Sequence, residues 1–250
     1  LHAGHEALIH AARKRAGTVV TTLFLNPTQF GQNEDLARYP ANRERDLEIM
    51  RKAGVDAVFV PSVEEMYPPD DHFAVDPGPI ADVLEGEHRP GHMRAVATVV
   101  AKLFNATRPD LAYFGEKDGQ QLEVVTRMSR DLRFGIEIVP VPTVRDEREL
   151  ALSSRLAYLT DKERAAAEVV YRALCAARDH WDDGERSNVE LENIMKSVIA
   201  SESMATLGYA VVVDPDTFER HAETNITSGA WALIAVTIGT TRLIDNLRLN

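Results

Sequence analysis

With 250 residues, 44% of them hydrophobic and 27% charged, the chain has the composition of a folded globular protein and the length for a sizeable core, two domains being favoured over one. Its 28 Lys and Arg against 39 Asp and Glu leave a net charge of -11, which excludes general attraction to nucleic acid or an anionic membrane. An anionic small substrate is compatible with this balance only where Arg, Lys, His and backbone N–H groups cluster locally.

In chain order, a helix is expected over residues 5–16, closed by Gly17, and the β-branched run 18–25 then reads as a buried strand stopped by Asn26-Pro27. The unit repeats: a helix over 43–53 ending at Gly54, then a strand over 55–60 closed by Pro61. A third helix, 93–105, precedes the short strand 111–114, and a fourth, 120–132, leads into the strand 136–139, followed by Pro140. Helix-then-strand repetition is the pattern of a parallel sheet covered by helices. In such sheets ligands sit beyond the carboxyl ends of the strands, so the loops at Asn26, Pro61, Gly115 and Pro140 are where a site is expected.

After about residue 143 the rhythm changes. A long helix over 161–181 opens with the capping-box spacing Thr160-Asp161-Lys162-Glu163, a further helix covers 188–202, and 209–213 and 231–238 read as strands. The expected fold class is therefore α/β: a Rossmann-like parallel sheet with helices on both faces in residues 1–143, plus a smaller α+β C-terminal domain in 144–250. Cys175 is the single cysteine, which excludes an intrachain disulfide and fits a cytoplasmic protein; within its helix it reads as a buried structural thiol. The longest apolar run, 231–238, is far short of the roughly 20 residues of a membrane span. No signal-peptide pattern opens the chain, and because Leu1 runs directly into a motif, further residues are expected upstream.

That motif is His2-Ala3-Gly4-His5, at an expected helix start where unpaired N–H groups and the helix dipole favour an anion. Gly4 permits close approach of phosphate oxygens, and imidazoles at this spacing can face one ligand and donate as charge develops in phosphoryl transfer. Read alone, the pattern also accommodates two unrelated surface histidines or a zinc site. Lys117 is a point charge suited to phosphates, and Arg155 a fork of donors beside Ser153 and Ser154, although singly each is commonly a solvated charge, and paired serines a cap. Gln29 and Gln121 each donate and accept without fixed charge, or simply face water.

Taken together, His2-Ala3-Gly4-His5, Phe24-Leu25-Asn26-Pro27-Thr28-Gln29-Phe30, Leu84-Glu85-Gly86 with Arg89-Pro90-Gly91-His92, Tyr113-Phe114-Gly115-Glu116-Lys117-Asp118 with Gln120-Gln121-Leu122, Leu152-Ser153-Ser154-Arg155, and Thr241-Arg242-Leu243-Ile244-Asp245-Asn246 resemble the pantothenate synthetases, a family of the His-x-Gly-His nucleotidyltransferase superfamily. The resemblance implies an AMP-forming ligase: pantoate attacks the α-phosphate of ATP to give pantoyl adenylate and pyrophosphate, then β-alanine displaces AMP. It implies catalytic roles for His2, His5 and Lys117. ATP is expected against Leu1, His2, Ala3, Gly4, His5, Gly115, Glu116, Lys117, Asp118, Val144, Leu152, Ser153, Ser154 and Arg155, and pantoate against Asn26, Gln29 and Gln121. Arg89 and His92 are expected in a loop that covers the substrate.

Mg²⁺ is the expected ion, carried largely by phosphates, with Asp46 as candidate outer ligand or else a solvent-facing helix residue. A homodimer is also implied. Two features depart from the family pattern: its Pro-Thr-Met-Gly stretch lies before the first residue given, and Leu156 replaces the usual Asn, which is expected to loosen the phosphate loop. The alternatives are a nucleotide-binding homologue without turnover and a nucleotidyltransferase acting on another acid.

Overall fold

The computed structural model describes residues 1–31, 34–215, 217–220, 226 and 229–250. Its contacts divide the chain into two compact units, Leu1–Pro142 and Thr143–Asn250. The first unit runs α1 (Ala3–Arg15), β1 (Val20–Thr22), α2 (Arg43–Lys52), β2 (Ala57–Phe59), α3 (Val63–Met66), α4 (Glu85–His88), α5 (His92–Thr107), β3 (Leu111–Gly115), α6 (Gly119–Asp131) and β4 (Glu137–Val141). β1 pairs parallel with β2, and β3 parallel with β4, so the expected parallel α/β pattern is present as two hydrogen-bonded pairs.

Local chemistry explains where these elements stop. β1 is shorter than the apolar run because the Val19 N–H donates to the Asp56 carboxylate at 2.7 Å rather than to a neighbouring strand, and Arg13 holds the same carboxylate at 2.7 Å. Gly17 is not the helix cap: α1 ends on extended Ala16, whose N–H returns to the Ala12 carbonyl. At α2 the expectation holds, since Asn42 caps its start and Gly54, at φ +84, supplies the left-handed turn after Ala53. β4 runs through Pro140 instead of ending before it; among the described residues β4 pairs only with β3, and a strand edge tolerates the missing donor.

Ile9, Ala12, Val19 and Met50 pack with Leu47, Val58 and Tyr113 into a small core under α1 and α2. α5 buries Val96, Ala97, Val100 and Phe104, and α6 buries Leu122, Val125 and Met128. In the second unit, α7 (Asp161–Asp182) opens with the expected box, Glu163 N–H to Thr160 and Thr160 N–H back to Glu163. α8 (Asn188–Ala200) follows, then β5 (Ala205–Val213), β6 (Ala230–Ile238) and β7 (Thr241–Leu249) in an antiparallel sheet with β6 central. Almost every residue of β6 is buried, which is why its sequence is continuously apolar. β7 is a strand that the sequence pattern does not announce. Cys175 is half-buried on α7, not fully enclosed. Among the described residues, no helix is long and apolar enough to cross a membrane.

Candidate active site

The first motif builds its own helix start. His2 is the N-cap of α1: its Nδ1 accepts from the Gly4 N–H at 3.2 Å, while the His2 N–H donates to His5 Nδ1 at 3.2 Å. The result is a capping box made of two imidazoles, whose rings lie 4.0 Å apart at 45°. An Nδ1 that accepts carries a lone pair, so each neutral ring bears its proton on Nε2. Burial, reinforced by the neighbouring His5, lowers the His2 pKa to about 4, and burial likewise lowers that of His5. Both are therefore neutral Nε2–H donors near pH 7. The Gly4 N–H is taken by His2 Nδ1, so it is not one of the unpaired N–H groups of this helix start.

Lys117 follows β3 in a 3-10 turn, Glu116–Asp118, and is close enough to lower both imidazole pKa values electrostatically. Its ammonium lies 3.1 Å from Asp118 Oδ1, so an acid partner accompanies it at the start of α6. Gly115, Glu116, Lys117 and Asp118 thus share the carboxyl end of β3 with the opening of α1. Gln121 is half-buried on the first turn of α6.

Beyond β1, Asn26 is buried and caps the 3-10 turn Pro27–Gln29, its Oδ1 accepting from the Thr28 N–H at 3.3 Å and the Thr28 hydroxyl at 2.9 Å. Its Nδ2 is buried without a hydrogen-bond partner among the described residues, a donor left for something else. Gln29 is half-buried at the end of this turn. Arg89 closes α4 and His92 opens α5; both reach the Gln29 carbonyl, at 3.2 and 2.9 Å, and Arg89 is ion-paired with Glu34 at 2.6 Å. Nothing in the spacing announces Glu34, 55 residues before its partner.

Asp46 is not the solvent-facing helix residue weighed above. It is 6% exposed on α2. Among the described residues no three His, Cys, Asp or Glu side chains group to hold a metal, so Asp46 is not part of a preformed cage. Gln120, beside Gln121, is a clamp: it donates to the Ile80 and Val83 carbonyls, both at 2.8 Å, and accepts from the Glu85 N–H at 3.1 Å. The adjoining Gly86 is obligatory, since a Cβ there would sit 1.7 Å from the Ala81 carbonyl oxygen.

In the second unit, Val144 accepts from the Leu152 N–H at 2.9 Å, and Ser153 caps the 3-10 turn Ser154–Tyr158 through a 3.3 Å bond from the Arg155 N–H. Ser154 and Arg155 are half-buried in that turn. Leu156 does not leave the turn loose: it is 5% exposed, packed into the unit's core, and its carbonyl accepts from Arg164 at 3.0 Å.

A parallel α/β unit whose His-x-Gly-His helix start meets a lysine beyond a neighbouring strand has the arrangement of a nucleotide-handling enzyme of the nucleotidyltransferase kind. The family model described as pantoate-beta-alanine ligase matches residues 1–248, and the chain belongs to that family. It is 50% identical over 246 residues to the pantothenate synthetase of Roseiflexus castenholzii, covering 98% of this chain and 88% of that one. With that of Rubrobacter xylanophilus it shares 49% identity over 100% of this chain and 88% of the relative. Among solved structures, pantothenate synthetase from Thermus thermophilus superposes with a TM-score of 0.94 at 46% identity, covering 99% of this chain and 89% of that chain. The pantoate-beta-alanine ligase from Francisella tularensis, complexed with beta-gamma ATP and beta-alanine, gives 0.78 at 32% identity over 99% of this chain and 85% of that one.

Proposed function

We infer that the protein joins pantoate to β-alanine at the expense of ATP through a pantoyl adenylate. A pantoate carboxylate oxygen bonds to the α-phosphorus as the bond to the bridging oxygen of pyrophosphate breaks. The β-alanine amine then attacks the acyl carbon, the acyl–oxygen bond breaks, AMP leaves with that oxygen, and the nitrogen loses its proton. The observation that carries this reading is the imidazole pair, held by Nδ1, neutral, and within electrostatic reach of Lys117.

Neutral Nε2–H donors do little for the ground state and strengthen as negative charge grows on the phosphate oxygens, so His2 and His5 are assigned to the transition state and Lys117 to the phosphates. Leu1, Ala3, Gly4, Gly115, Glu116 and Asp118 are assigned to ATP around them. On the family resemblance, Val144, Leu152, Ser153, Ser154 and Arg155 of the second unit are assigned to ATP as well. For pantoate we propose Asn26, Gln29 and Gln121; the unpartnered Asn26 Nδ2 supports this. Mg²⁺ is proposed as part of the ATP substrate, with Asp46 as candidate outer ligand, because the described residues give the ion no cluster of ligands of their own. A homodimer and a cytoplasmic location are further proposals; sedimentation at several concentrations tests the first.

With ATP, Mg²⁺ and pantoate, pyrophosphate should form to about one equivalent of enzyme, and AMP should accumulate only when β-alanine is added. ATP binding without pyrophosphate formation would favour a homologue without turnover, and turnover with another acid in place of pantoate would favour the broader nucleotidyltransferase reading.

A further inference from the structure

Five side-chain bonds link Glu34, Arg89 and His92 to one another and to the turn that carries Gln29, two of them ending on the Gln29 carbonyl. Arg89 donates from Nε and Nη2 to the two oxygens of Glu34, at 2.8 and 2.6 Å, from Nη2 to the Gln29 carbonyl at 3.2 Å, and its Nη1 lies 2.9 Å from His92 Nε2. A guanidinium only donates, so His92 Nε2 must accept, the ring must be neutral, and Nδ1–H must be the group that donates to the Gln29 carbonyl at 2.9 Å. Burial, then the neighbouring guanidinium, lowers the His92 pKa in agreement with that state. Both lone pairs of one carbonyl are thereby filled, and side chains flanking α4 fix the backbone at the end of the Pro27–Gln29 turn. The pair is little exposed, 16% for Arg89 and 25% for Glu34, so solvent screens it weakly.

We propose that Arg89, held by Glu34 and seconded by His92, is a positioning residue for the acid substrate: it sets the direction of the Gln29 side chain by gripping the Gln29 carbonyl. This rests on the reading of Gln29 as a pantoate ligand. Lysine keeps the charge but not the fork, so it cannot hold Glu34 and the Gln29 carbonyl together. The role predicts a loss specific to one substrate, which a generally weakened fold would not give.

The experiment is steady-state kinetics of Arg89→Lys, Glu34→Gln, Gln29→Ala and the double variant Arg89→Lys/Gln29→Ala, with thermal melts of each. Arg89→Lys should raise the KM for pantoate on the order of tenfold, as small misplacements of a substrate-holding group do, and leave the KM for ATP within about twofold. Glu34→Gln should do the same more mildly, and stands in for Arg89→Lys if that variant folds poorly. In the Gln29→Ala background the carbonyl remains but the side chain is gone, so Arg89→Lys should add less than about threefold. Full additivity there, an equal rise in the KM for ATP, or an unchanged KM for pantoate in Arg89→Lys would overturn the inference while Gln29→Ala still raises that KM. If Gln29→Ala itself leaves the KM for pantoate unchanged, the substrate reading of Gln29 fails and the inference falls with it.

Discussion

Replacing His5 by alanine removes two separable things. One is the capping bond from the His2 N–H to His5 Nδ1, 3.2 Å long and partly buried, whose loss costs about 1 kcal/mol, as other N-terminal capping residues do. In a chain of this size that lowers the melting temperature by roughly 2–4 °C. The other is the Nε2–H donor, assigned above to the phosphate transition state; loss of a comparable preorganised donor lowers kcat by about 10²–10³, or roughly 3–4 kcal/mol of barrier. ATP affinity without pantoate should change only a few-fold, because a neutral donor contributes little before charge develops. Pyrophosphate release at saturating substrates gives kcat, calorimetric titration gives ATP affinity, and a scanning calorimeter gives the melting shift. His5→Gln should recover most of the melting temperature, since glutamine is a natural third residue of a capping box, without recovering the rate. A fall in ATP affinity equal to the fall in kcat would refute the transition-state assignment, and an unrecovered melting temperature in His5→Gln would refute the capping account.

Gly86→Ala should destabilise the protein by at least about 2–3 kcal/mol in urea unfolding, because the new Cβ would lie 1.7 Å from the Ala81 carbonyl oxygen and the backbone must move. Asp245→Asn leaves Arg145, 13% exposed and bonded to Asp245 at 2.6 Å, with an uncompensated charge; a loss of about 3–5 kcal/mol is expected in the same assay. The folded pKa of His2 is lowered to about 4, and those of His5 and His92 lie below the usual 6.5, so between these values the unfolded chain binds more protons than the folded one. Stability from these rings is therefore full above pH 6.5 and declines as pH falls below it, the His2 share being lost towards pH 4, which melts at pH 7.5, 5.5 and 4.5 check.

The helices and their caps were legible because their signals are local. Gly54 and the Thr160–Glu163 box depend on residues a few positions apart, and a helix end and a helix start follow from them. β7 carries no strand pattern of its own because Arg242, Asp245, Asn246 and Arg248 interrupt its apolar residues, and its strand character comes from pairing along the whole of β6. Gly17 has the position of a helix-ending glycine in the left-handed turn, whereas here extended Ala16 makes the exit. At the site, residue types were readable and their connections were not. The pattern His-x-Gly-His suggested two ligand-facing rings, yet not that their Nδ1 atoms would cap the helix that carries them. Gln29, Glu34, Arg89 and His92 come together across 63 residues, and only the folded chain discloses that Arg89, held by Glu34, and His92 meet at the Gln29 carbonyl.

The most direct measurement follows oxygen. Pantoate labelled with ¹⁸O in its carboxylate, turned over with ATP, Mg²⁺ and β-alanine, should deliver one labelled oxygen to AMP and none to pyrophosphate, as read by ³¹P NMR isotope shifts. Label in inorganic phosphate, or AMP formed without label, would contradict attack of pantoate on the α-phosphorus and with it the adenylate at the centre of this account.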